Sequence, residues 1–138
     1  MGLIEVLASL AGRILLTMIF LGSGINKITG WEATSNYMAS AGMPYVPFFL
    51  TGAVILELVG GLLVLLGYRA RIGAMMLLLF IIPATFIFHA YWNIPATESG
   101  QIFVQRIMFM KNLAIMGGLL MIISLGSGPF SLESRKNR

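Results

Sequence analysis

The chain has 138 residues, 58% of them hydrophobic and only 10% charged, with a mean hydropathy of +0.91. Soluble domains carry about 25% charged residues, so the composition excludes a water-soluble globule and leaves one domain, essentially all of it in lipid. The absence of cysteine excludes disulfides, thiol–quinone exchange and thiolate metal ligands.

Four apolar segments, at about 7–28, 46–66, 72–91 and 102–125, each meet the ~20-residue length of a transmembrane helix. Backbone groups in hydrocarbon must pair internally, which makes these segments helices. The predicted fold is an all-α integral membrane four-helix bundle, with a short basic tail at 126–138. The first charge is Glu5 rather than a basic cluster, and no small-residue cleavage pattern closes the first apolar run. The first span is therefore expected to stay in place.

Arg13, Thr17, Phe20, Gly24 and Lys27 are spaced 4, 3, 4 and 3 apart along the first span, so they share one face. Two fates are open to Arg13 and Lys27: they snorkel to headgroups at opposite ends, or they face the bundle. Ser23, Gly24 and Asn26 surround Lys27, a small-polar cluster that suits close packing or the mouth of a site. Residues 31–42 mix Trp31, Tyr37 and Met38 with polar groups and end at Gly42 and Pro44. They predict a short interfacial helix between helices 1 and 2.

Glu57 stands alone as a charge within the apolar run 47–66. A carboxylate at the bilayer midplane costs about 2.5–3.5 kcal/mol even on the lenient insertion scales, so it needs a partner charge, a polar cavity or a proton. The third span carries Pro83, expected to kink it, with Thr85 and His89 on one face and Trp92 close behind. His89 and Trp92 are expected to mark the mouth of the site. The fourth span opens with Gln101, Gln105 and Arg106. It continues to Lys111 and Asn112, about 12 Å below its start at 1.5 Å per residue. Lys111 has the opposite sign to Glu57, and the two are expected to face the interior within reach of each other, directly or through a bridging polar group.

Arg69, Arg71, Arg135, Lys136 and Arg138 fall on the same side as the N-terminus. The positive-inside rule then places both termini in the cytoplasm. This orientation gathers Lys27, His89 and Arg106 towards the outer surface, with Glu57, Lys111 and Asn112 deeper. The candidate binding residues are these six. A structural ion pair that only locks the bundle would need just two of them.

Several stretches together resemble the DoxX family of small four-helix bacterial membrane proteins. They are Gly12-Arg13, the run from Ile19 to Lys27, Glu57-Leu-Val-Gly-Gly61, Arg71, His89, Lys111-Asn-Leu-Ala114 with Gly117-Gly118, and Gly128–Leu132 near the end. The resemblance implies a bundle in the bacterial cytoplasmic (inner) membrane. The family takes its name from a small subunit of a thiosulfate:quinone oxidoreductase, and other members are linked to membrane redox complexes or to quinones and oxidative stress.

The expected function is a membrane component of a quinone-linked redox system, with a polar intramembrane site for a quinone-like or aromatic redox molecule. No covalent cofactor and no metal site is expected, and no turnover step follows from these residues. Electrons would enter through a redox partner protein. The other expected contacts are the lipid bilayer and further copies of the chain; nucleic acid is not among them. Two alternatives stay open: a non-catalytic scaffold or accessory subunit of a membrane oxidoreductase complex, and a small transporter that would have to oligomerise.

Overall fold

The computed structural model describes residues 2–136; Arg138, counted above with the basic tail, lies outside them. The described residues are helical, with no strand among them. The elements are α1 (Leu3–Thr29), α2 (Trp31–Ser40), α3 (Val46–Leu66), α4 (Ala70–Phe88), a 3-10 turn (Tyr91–Asn93), α5 (Ser99–Leu125) and α6 (Leu132–Lys136). α1, α3, α4 with the turn that follows, and α5 are each long and apolar enough to cross a bilayer. At most 28% of the most apolar stretch of each is buried within the protein. Such helices are apolar all round, and most of that surface must be covered by lipid. The chain is a multi-pass membrane protein with the expected short extra helix, α2, between the first two spans.

α3 is the central helix, packed on α1 on one side and α4 on the other, and α4 in turn packs on α5. Small residues allow the closest approach. A Cβ placed on Gly73 would lie 2.7 Å from the Gly60 carbonyl oxygen, so α3 and α4 meet backbone to backbone. The turn between them is a Schellman ending: the Tyr68 N–H donates to the Leu63 carbonyl at 3.0 Å while Gly67 takes the left-handed conformation at φ 63°. A core of Phe20, Val64, Ala74, Leu77, Ile81 and Leu119 runs through the bundle. α1 and α5 make no comparable contact among the described residues, and cavities open along the seam between them.

The two ends of the bundle differ. At the basic end, the α3–α4 turn and residues 126–136 meet the first half of α1. The Ser9 hydroxyl donates to the Ser127 carbonyl at 2.9 Å, and the Glu133 N–H to the Gly67 carbonyl at 3.0 Å. Arg13 fastens this end and is 3% exposed. Its Nη1 donates to the Leu65 carbonyl at 3.1 Å, Nη2 to the Phe130 carbonyl at 2.6 Å and Nε to the Ser9 carbonyl at 3.4 Å. Arg13 thus faces the bundle with Thr17, Phe20 and Gly24, and snorkelling is excluded. The residues at steps of 4, 3 and 4 from Arg13 to Gly24 form the buried face of α1. At the other end α2 lies across α1 and α3, with Met38 buried beneath it.

Candidate functional site

Glu57 lies near the middle of the 21-residue α3 and is 1% exposed. Its partner is Lys27. The ammonium Nζ lies 2.9 Å from Oε2 and 3.2 Å from Oε1. Lys27 also donates to the Ser23 hydroxyl at 2.5 Å and sits 5.2 Å from the centre of the Phe80 ring. Only the Oε1 contact has hydrogen-bond geometry. Oε2 is buried with a charge beside it but no hydrogen-bond donor among the described residues.

Helix direction explains the pairing. Side chains lean towards the N-terminus of their own helix. Lys27 is near the end of α1 and leans back into the membrane. Glu57, on the antiparallel α3, leans up to meet it. The pairing expected with Lys111 is thereby corrected. Lys111, on α5, leans the same way as Glu57, and α5 packs on α4 rather than on α3. The Nζ of Lys111 instead reaches the Met108 sulfur at 3.3 Å, one turn back on its own helix.

The pair lines a cavity of about 660 Å³ at the α2 end, to which α1, α2, α3, α4 and α5 all contribute. Lys111, Asn112 and His89 line it as well. Asn112 is 8% exposed and donates through Nδ2 to the Thr85 hydroxyl at 3.0 Å; that hydroxyl donates to the Ile81 carbonyl at 2.6 Å. The ring nitrogen Nδ1 of His89 meets Oε1 of Gln105 at 2.7 Å. With the amide so oriented, Nδ1 carries the proton and Nε2 is an acceptor.

The six candidate residues divide five to one. Lys27, Glu57, His89, Lys111 and Asn112 border one cavity, and Arg106 is exposed and does not line it. Trp92 does not mark the mouth. It packs edge-on against Phe109 at 5.4 Å between ring centres, in a cluster with Phe86 and Tyr91. Three aromatic contributors escaped the sequence reading: Phe80 beside Lys27, and Tyr37 stacked on Phe88 with ring centres 5.3 Å apart. Tyr37 carried the one usable signal, an aromatic within a polar interfacial helix. Phe80 and Phe88 resemble any lipid-facing phenylalanine.

Chemically, the cavity offers an ammonium with a proton to spare, a carboxylate oxygen lacking a donor, an amide, an imidazole acceptor and an apolar aromatic wall. It borders the seam between α1 and α5, and so can be approached from within the bilayer.

The DoxX family model matches residues 8–90. The inner membrane protein YqjF of Escherichia coli is 35% identical over 98% of this chain and 96% of its own length. The inner membrane protein YphA of the same organism is 32% identical over 91% of this chain and 88% of its own. A Surfeit locus protein 4 homolog of Drosophila melanogaster is 28% identical over 94% of this chain, a stretch that covers 41% of the fly protein. No solved structure matches the chain. The family match takes in Arg13, Lys27, Glu57 and His89, and two relatives align over nearly their full length: the chain belongs to the DoxX family.

Proposed function

We propose that this protein is the membrane component of a quinone-linked redox system, and that its intramembrane cavity binds the headgroup of a quinone-like amphiphile. One observation carries the binding part. The Lys27–Glu57 pair is buried at the wall of a cavity on the lipid side, with Oε2 of Glu57 lacking a hydrogen-bond donor. Oε2 meets the Lys27 charge without a directed hydrogen bond, which leaves it able to accept one from a ligand. Lys27 can donate its third ammonium hydrogen to a ligand carbonyl. Nε2 of His89 and Oε2 of Glu57 can accept from a hydroxyl, and Phe80 and Phe88 offer apolar walls to a ring. The redox part rests on the association of the DoxX family with quinone-linked complexes. Electrons would come from a partner protein.

The test is equilibrium binding of short-tailed benzoquinones and naphthoquinones to the purified chain in nanodiscs. The parent should bind at least one of them, and Glu57→Gln should weaken that binding about tenfold or more, the value of one charged hydrogen bond. If no common quinone headgroup binds, the accessory-subunit reading leads. The bridge that Lys27 and Glu57 make between α1 and α3 favours that second reading, since it ties two helices together.

The location follows the same proposal. Two relatives are named as inner membrane proteins, and Arg69, Arg71 and Arg135 lie at the end where the first half of α1 meets the C-terminal segment. That end would face the cytoplasm. A reporter fused to the C-terminus should be active only if it functions in the cytoplasm. Activity of a periplasm-dependent reporter at that position would reverse the orientation.

A further inference from the structure

The charges lining the cavity do not balance. Lys27 and Glu57 neutralise each other at 2.9 Å. Lys111 lines the same cavity and has no carboxylate within ion-pair distance among the described residues. Its one hydrogen-bond acceptor is the Met108 sulfur, a weak one. It sits near the middle of the 27-residue α5, at a depth where an uncompensated ammonium costs several kcal/mol or must reach for a counter-charge.

A second feature adjoins it. In the basic half of the bundle a cavity of about 690 Å³ lies between α1 and α5. Its walls are almost wholly apolar apart from the Arg13 end, and Ile19 and Ile115 line both cavities, so the two adjoin along the seam. From Lys111 to Leu125 the helix descends about 21 Å, close to an extended long alkyl chain. Gly12 lines this groove, and a Cβ there would meet nothing within 4 Å, so the space beside it is open and a bulky side chain could fill it.

Building on the proposed headgroup site, we infer that its ligand is an anionic amphiphile, with an acidic oxygen on Lys111 and its chain in the α1–α5 groove. A neutral quinone would leave Lys111 without a counter-charge. A ligand that ionises, such as a hydroxyquinone, satisfies Lys111 and still offers a carbonyl to Lys27. No electron transfer is needed for this binding.

The experiment uses the full chain in nanodiscs of neutral lipid and three probes of equal tail length. They are an alkylated hydroxynaphthoquinone at a pH where its hydroxyl is ionised, the same quinone without the hydroxyl, and an alkyl phosphate. The hydroxyquinone should bind about tenfold more tightly than its neutral counterpart, the value of one charge-assisted hydrogen bond. Lys111→Met should abolish that advantage, and Lys111→Arg should keep it. With a long-tailed and a short-tailed version of the hydroxyquinone, Gly12→Phe should weaken the first and spare the second. Equal binding of the two quinones, or a preference that survives Lys111→Met, overturns the anionic ligand while the quinone site stands. Binding of the alkyl phosphate alone, dependent on Lys111, supports the anionic ligand and removes the quinone. If none of the three binds, both proposals fall.

Discussion

α1 carries two inward-facing cations on one face, Arg13 buried and Lys27 partly so, and the bundle treats them in opposite ways. Arg13 bonds three backbone carbonyls, from α1, α3 and the C-terminal segment. The Leu65 and Phe130 carbonyls are acceptors that a helix end and a loop leave spare. It is enclosed, and its neighbours are fixed. Lys27 meets a hydroxyl and a carboxylate, is 19% exposed, and borders a cavity. The planar fork of arginine suits several fixed acceptors at once, whereas lysine is a compact charge with a rotatable set of donors. A buried cation spent on backbone carbonyls holds a fold together. One paired beside a cavity, with an oxygen left over, can serve a ligand.

The contrast is broken most directly at Arg13. Arg13→Met strands carbonyls at both the α3 end and the C-terminal segment, each costing about 1–3 kcal/mol. A loss of about 3 kcal/mol or more is expected in reversible unfolding in mixed micelles. Unfolding identical to the parent would remove its role as a fastener.

At the other end, Glu57→Gln leaves Lys27 beside an amide in a largely buried place. A loss of about 2–3 kcal/mol is expected, below the 3–5 kcal/mol of a fully enclosed pair because Lys27 is partly exposed. The apolar double variant Lys27→Met with Glu57→Leu sharpens the comparison. Stability should return to near the parent value, while quinone binding stays lost. If the double variant binds as the parent does, the pair is structural only.

The smallest expected effect is at Lys111. Its one bond is to sulfur and its charge has no ion-pair partner among the described residues, so Lys111→Met should cost no stability. A large loss in the same unfolding assay would mean that Lys111 belongs with Arg13 rather than with the ligand site.

Much of this was legible in the residues. The four spans follow from apolar runs of about 20 residues, because hydrocarbon thickness sets that length. The inward face of α1 follows from steps of 3 and 4, because helical geometry puts those residues on one line. That Glu57 must have a partner follows from the cost of an isolated charge in lipid.

The identity of that partner did not follow from depth alone. Spacing along a helix determines face and height, but not which helices are neighbours. Lys27 and Lys111 were both at usable heights. Packing decided between them: Gly60 and Gly73 bring α4 against one side of α3, α1 takes the other, and α5 is left to pack on α4. The antiparallel lean of α1 and α3 then closes the Lys27–Glu57 contact. The same arrangement separates α1 from α5, and so opens the seam on which the cavity lies. Arg13 shows the same division. Its face was readable from α1, but its acceptors come from Leu65 and Phe130, far along the chain. Only the folded bundle brings those carbonyls within reach of the guanidinium, because backbone acceptors carry no mark in the sequence.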